Sequence, residues 1–246
     1  MPDRKKRARR RGPDRVPVSG WNPTGVTPAA GPHPAVPYES LLEADLHVRV
    51  AFDPTVRAYT AQPVQLDYPG RRGRTPYTPD LLVRLHPRRD GTPRPDRLVE
   101  VKFAQDLEEH AEALDPKFRA AEAYADANDL TFVVLDERFI HTPTLPTLTR
   151  LLRYTVKQVD ERVARTLLRH LDARADDPTT AHDLALTLGE PGGDAYWHAV
   201  QTLWTLVAHR RVRMDLTARL TPHAPILPAP PHPEDDPDLR VFPEDA

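Results

Sequence analysis

The chain has 246 residues, 39% of them apolar and 28% charged, with a formal net charge of -2 at pH 7, enough for one large core or two small ones. It contains no Cys, and its serines are Ser19 and Ser40. This excludes disulfides, thiolate metal sites and Cys nucleophiles, and without a Gly-x-Ser-x-Gly it excludes Ser-His-Asp hydrolysis as well. The 10 Gly form neither Gly-x-Gly-x-x-Gly nor Gly-Lys-Ser/Thr, so what remains is chemistry run by carboxylates, His, Lys and metal ions.

Of the 29 Pro, eight fall in residues 1–37 and eight more in 221–246, and both ends are expected to be disordered. Residues 4–15 hold eight Lys or Arg, a flexible phosphate binder or a solubilising tail. The other end, 222–246, is acidic. No apolar run approaches the roughly 20 residues of a bilayer span, and no apolar segment follows the basic start, so a cytoplasmic protein with no membrane contact is expected.

Folded structure is expected from residue 38. Apolar residues at helical spacing over Tyr38 to Val50 predict a helix stopped by Asp53-Pro54. Val56 to Leu66 and Tyr77 to Leu85 read as strands joined by turn material at 69–73. Arg97 to Phe103 is a third strand. A helix follows from about Asp106 to Asn128, restarting where Asp115 caps and Pro116 takes the first helical position. The run Thr131 to Leu135 is short, continuous and β-branched, and predicts a strand buried on both faces. Residues 38–145 therefore form an α/β domain.

Beyond Pro146 the spacing is helical from Leu148 to about Ala173. Thr180 with Asp183 forms a capping box for a short helix closed by Gly189. Asp194 opens a longer helix whose Ala199, Val200, Leu203, Trp204 and Val207 share a face. Residues 210–216 alternate like a strand, with a return strand at 219–221. Over 146–221 this order is that of an all-α/winged-helix domain. Its candidate recognition helix offers His198, Gln201, Thr202 and Thr205, with basic charge only at the end, so a protein-facing role is at least as well suited as base reading.

The chemistry falls in the first domain. Asp80 enters the second strand. Glu100 and Lys102, two apart on the third, project to the same face. If those strands pair, Asp80 comes beside Glu100, and two carboxylates meet a lysine. A hard cation such as magnesium takes oxygen ligands, here Asp80, Glu100 and the carbonyl of Val101, and keeps positions for water and phosphate. Lys102 can hold or deprotonate the attacking water, or steady charge on the phosphate. Alone, the same residues also fit a solvated strand face with an ion pair worth under about 1 kcal/mol. Composition favours the site: of 34 basic residues only five are Lys, and a compact, tunable ammonium is what Arg cannot replace. Glu39 or Glu43, one turn apart on the first helix, adds a third carboxylate. Lys117 reads as a solvated helix lysine, the 11 His as ordinary residues, and Trp197 and Trp204 as core.

Helical Glu, Pro-Asp and Glu-x-Lys in that order resemble the PD-(D/E)xK nuclease fold of restriction-type endonucleases. The surrounding text, Asp53-Pro54-Thr55-Val56, Ala61-Gln62-Pro63, Tyr77-Thr78-Pro79-Asp80-Leu81-Leu82, Val99-Glu100-Val101-Lys102 and Phe132 to Ile140, resembles the TnsA family, the endonuclease subunit of heteromeric bacterial transposases, over about residues 38–220. The resemblance implies a restriction-endonuclease-like core followed by a winged helix, and places the helical acid on Glu43, the metal-binding aspartate on Asp80, the next ligand on Glu100 (Gln in some members) and the catalytic lysine on Lys102. It implies magnesium-dependent cleavage of DNA at the 5′ ends of a transposon, with manganese as a substitute ion. It also implies a DDE-type transposase subunit that handles the 3′ ends and an AAA+ regulator bound by the C-terminal domain. The rivals are a stand-alone nuclease in defence or repair and a non-enzymatic DNA-binding regulator.

Overall fold

The computed structural model describes residues 23–70, 73–174 and 178–242; the basic run at 4–15 lies outside the described residues. The chain divides into two compact units. Of the described residues, one takes those from Pro23 to Thr27 together with those in Val36–His47 and Thr55–His141, the other those in Pro28–Ala35, Val48–Pro54 and from Thr142 onward.

In the first unit, strands β1 (Gly25–Thr27) and β2 (Val36–Tyr38) pair antiparallel. The stretch expected to be unfolded as far as residue 37 is thus structured from Pro23: its prolines suit extended edge backbone, and Thr27 and Val36 are buried. Helix α1 (Leu41–Phe52) follows. It starts three residues later than periodicity implies because Ser40 caps it. The Ser40 Oγ accepts from the Glu43 N–H at 3.2 Å and donates to Glu43 Oε1 at 2.8 Å, a Ser-x-x-Glu cap in which the carboxylate takes the Glu39 N–H instead of that of Ser40.

The chain continues through β3 (Val56–Ala61), β4 (Leu66–Gly70), β5 (Gly73–Tyr77), β6 (Leu81–Leu85) and β7 (Asp96–Val101), helices α2 (Ala104–Glu109) and α3 (Ala111–Asp126), β8 (Leu130–Leu135) and the short α4 (Glu137–Ile140). The four-stranded sheet has the order β3-β6-β7-β8, antiparallel except for the parallel β7–β8 pair. A parallel neighbour needs a crossover, and α2 and α3 supply it. Each of the two strands expected between residues 56 and 85 is split: β4 and β5 form a separate hairpin closed where Gly70 faces Gly73, whose φ is +112°, a value open to glycine.

Two further expectations change. The helix break falls at His110, and Pro116 lies inside α3, where Asp115 pairs with Arg119 one turn on instead of capping. Strand β8 is an edge strand and only Leu135 is buried, so its continuous apolar run reflects β propensity and half-burial. A small core of Tyr77, Leu98 and Ala121, joined by Leu66, Tyr68, Tyr124, Leu130 and Phe132, carries α3 on the sheet.

The second unit contains α5 (Leu145–Leu151), a 3₁₀ turn at Leu152–Tyr154, α6 (Glu161–Asp172), β9 (Thr179–Thr180), α7 (Ala181–Ala185), α8 (Asp194–Ala208), β10 (Val212–Met214) and β11 (Pro225–Pro228). The single helix expected over 148–173 is interrupted because Asp160 caps a new start, accepting from the N–H groups of Arg162 and Val163. The Thr180–Asp183 capping box is present as read. Leu148, Leu151, Leu167, Leu184, Leu203, Leu206 and Ile226 share one core, built around α8. The return strand is β11, later than expected, in a three-stranded sheet of order β10-β11-β9.

The acidic end is docked as far as it is described. Leu239, Val241 and Phe242 are buried, the Val241 N–H donates to Asp53 Oδ2 at 2.7 Å, and Arg49 Nη2 donates to the Arg240 carbonyl at 2.9 Å. Three apolar anchors outweigh a composition dominated by Pro and acids. Trp204 is core, whereas Trp197 is 47% exposed, its ring edge-on to Tyr196 at 5.1 Å. No helix among the described residues is long and apolar enough to cross a membrane.

Candidate active site

The β6–β7 register, with Leu81 opposite Val99 and Leu82 opposite Leu98, brings Asp80 to the end of β7. There its Oδ2 accepts the Val101 N–H at 2.7 Å. The Asp80 carbonyl accepts the Gln62 N–H at 2.9 Å, from a residue held at φ +48°, and Gln62 Nε2 reaches Glu39 Oε1 at 2.7 Å. Backbone on both sides thereby fixes where the aspartate sits.

Glu100 and Lys102 share a face, as strand alternation requires. Lys102 Nζ is 2.9 Å from Glu100 Oε1 and donates to the Val101 carbonyl at 2.8 Å. Glu100 is 1% exposed. Its Oε2 accepts the Tyr77 hydroxyl at 2.6 Å, and its Oε1 also accepts from Lys117 Nζ at 2.8 Å. Glu43 is half-buried on the first turn of α1, with Oε2 accepting the Glu39 N–H at 3.0 Å and Oε1 the Ser40 hydroxyl. Glu39 itself is exposed.

The electrostatics follow from a surplus of acids in a poorly hydrated place. Burial, and then the Glu100 charge, hold the Asp80 carboxyl well above the usual carboxylate range. Burial raises Glu43 too, with Glu39 adding to it against the cap hydrogen bonds. For Lys102, burial disfavours the ammonium, but Asp80, Glu100 and Glu43 outweigh it, and the pKa rises above the ordinary lysine value. In this arrangement the charged form of Lys102 is favoured, and its ammonium donates to Glu100 and the Val101 carbonyl. Burial first and the Glu100 charge second raise the Tyr77 phenol, which stays protonated.

The donor chemistry fits a hard divalent cation: oxygens only, with excess negative charge at Asp80 and Glu43 that a cation would neutralise. No three His, Cys, Asp or Glu side chains among the described residues converge closely enough to hold an ion as they stand.

Residues 53–137 match the family model described as TnsA-like endonuclease N terminal. The match suggests a TnsA-like endonuclease domain and, with it, nuclease activity. It contains Tyr77, Asp80, Glu100, Lys102 and Lys117; Glu43 precedes it. No curated protein matches the chain.

Sequence reasoning missed three parts of this site. Tyr77 was read only as a strand residue. Lys117, read as solvated, has a side chain 14% exposed, with its Nζ 5.0 Å from the Tyr77 ring centroid; its signal was the same lysine scarcity that singled out Lys102. The cap on Glu43 was legible as Ser40-x-x-Glu43. In the second unit, Thr202 and Thr205 of the candidate recognition helix are buried and donate to carbonyls of their own helix. His198 faces Asp160 at 3.0 Å, and Gln201 Oε1 lies 3.4 Å from Lys157 Nζ. Of the four residues offered for protein contact or base reading, Thr202 and Thr205 are thus turned inward, while His198 and Gln201 stay exposed.

Proposed function

We propose that the chain is a metal-dependent DNA endonuclease that hydrolyses phosphodiesters at the 5′ ends of a transposon, as the TnsA-like subunit of a heteromeric transposase. The observation that carries this reading is the convergence of Asp80, Glu100 and Lys102 at the β6–β7 junction, inside the stretch that resembles a TnsA-like endonuclease, with Glu43 close enough for its charge to act on Asp80 and Lys102.

Glu43, Asp80, Glu100 and the Val101 carbonyl would hold magnesium, or manganese in its place. When bound, such an ion supplies Lewis-acid polarisation of the phosphate and activation of water. The chain's own groups do the rest. The Val101 N–H and the backbone link to Gln62 hold Asp80 in place. Tyr77 orients Glu100 through a 2.6 Å hydrogen bond. Lys102, kept charged by three acids, is placed to stabilise negative charge on the phosphate as the bond breaks. A DDE-type transposase subunit would supply the 3′-end chemistry and position the DNA. The second unit, whose α7, α8 and three-stranded sheet follow the order of a winged helix, would offer the surface for an AAA+ regulator.

The test is magnesium-dependent nicking of end-bearing DNA by the full chain with its partner transposase. Asp80→Ala and Lys102→Ala should each lower cleavage at least about 100-fold with unchanged circular dichroism. Variants that cut as well as the parent would refute the assignment.

A further inference from the structure

Glu100 is the most heavily solicited group of the site. One carboxylate, 1% exposed, takes the Tyr77 hydroxyl on Oε2 and two ammonium groups on Oε1, Lys102 at 2.9 Å and Lys117 at 2.8 Å. The two lysines differ in setting. Lys102 stands at the end of β7 with a side chain 29% exposed, and a phosphate could reach it. Lys117 comes from α3, and its side chain is 14% exposed. Its Nζ lies 5.0 Å from the Tyr77 ring centroid and 5.2 Å from that of Phe118, so two aromatic rings flank the ammonium.

A lysine that is to act on phosphate has to loosen its grip on its own carboxylate. If Lys102 were the only cation at Glu100, that movement would leave a buried charge uncompensated whenever no metal ion is bound, a costly state. A second ammonium already seated on the same oxygen removes the obstacle. We propose that Lys117 is a positioning residue: paired with Glu100 Oε1 at 2.8 Å, it keeps that carboxylate oriented with Tyr77, so that Lys102 is free to turn to the scissile phosphate. This deepens the nuclease reading and rests on it.

The test combines a cycle of the full chain without metal and a cleavage measurement with it. In metal-free buffer, Lys117→Met should lower the melting temperature by about 5 °C in the parent chain and by under about 1 °C in a Glu100→Gln background, where no buried charge needs the lysine. With magnesium and partner proteins, Lys117→Met should slow single-turnover cleavage at saturating DNA by about 10- to 100-fold, with DNA affinity within about twofold of the parent. Additive melting losses would overturn the proposal. So would weakened DNA affinity at an unchanged saturating rate, since it would put Lys117 on the DNA backbone. A parent chain that cuts while Lys117→Met cuts equally fast sinks this inference alone and leaves the nuclease reading intact. A parent chain that never cuts DNA overturns both, even where the melting coupling persists.

Discussion

His47 gives a prediction whose sign is fixed by its surroundings. It is 1% exposed on α1, its Nδ1 lies 3.1 Å from Thr27 Oγ1, and its ring is 5.9 Å from that of Tyr59. Burial pushes its pKa down from 6.5 to about 4. A base depressed in this way binds fewer protons folded than unfolded, so its contribution is complete above pH 6.5 and is lost as the pH falls toward 4. At about 1.4 kcal/mol for each tenfold change in proton affinity, the loss is about 2 kcal/mol at pH 5 and about 3 kcal/mol in the acid limit. Glu43 and Asp80 act in the opposite sense: carboxyls raised by burial bind more protons when folded and add stability as the pH drops. The wild-type curve mixes these contributions, so the informative quantity is a difference between chains. Urea unfolding followed by circular dichroism, at pH 7.5 and pH 5 in EDTA, should show that His47→Gln, which keeps a polar partner for Thr27, loses about 2 kcal/mol less on acidification than the parent. Identical pH dependence in the two chains would refute the reasoning.

Glu43 carries a cap as well as a candidate ligand, and the two roles separate by substitution. Glu43→Gln should keep stability within about 0.5 kcal/mol, since Gln serves at this capping position, yet lower cleavage about 100-fold; Glu39→Ala should cleave like the parent, and the reverse result would move the helical acid to Glu39. Ending the chain after Asp236 removes the buried Leu239, Val241 and Phe242 and should cost the second unit about 4 kcal/mol or more, read as a lower urea midpoint; an unchanged midpoint would show that the docked end contributes nothing. Thr180→Ala breaks the capping box of α7 and should cost about 1 kcal/mol in the same assay, with no effect on cleavage rate.

The sheet and its chemistry were legible because strand alternation and register are short-range rules. Glu-x-Lys on β7 puts two side chains on one face, and an antiparallel neighbour entered through Pro79-Asp80 brings the aspartate to the end of β7. What local rules could not supply was the third dimension. Which residue of α3 reaches the sheet depends on where the crossover lays that helix, and Tyr77 became a partner of Glu100 only because the β4–β5 hairpin folds separately and ends at the sheet. Residues 23–37 and 222–242, the described parts of the ends, depart from the expectation for another reason. Composition averages over a window, whereas docking needs only a few anchors. Val36 on one side, and Leu239, Val241 and Phe242 on the other, sit among prolines that stiffen extended backbone and so lower the entropy lost on ordering.

The scarcity of lysine connects sequence to site more closely than any motif. Among the described residues the lysines are Lys102, Lys117 and Lys157, and the first two end on one oxygen of Glu100. A guanidinium would spread its donors in a plane and seek two acceptors side by side. Here Oε2 is taken by Tyr77, and Oε1 has room for two compact ammonium groups approaching from different elements. Lys102 divides its donors between that oxygen and the Val101 carbonyl, a division that a rigid fork would not reproduce. A chain that writes 29 of its 34 basic residues as Arg keeps Lys at the two positions around Glu100 where point charges are needed. The same constraint makes Lys102→Arg a poor conservative substitution: charge is kept, geometry is not, and cleavage should fall about as far as in Lys102→Ala while stability changes by less than about 1 kcal/mol. Near-parental cleavage by Lys102→Arg would show that charge alone suffices there and would remove lysine scarcity as an argument for the site.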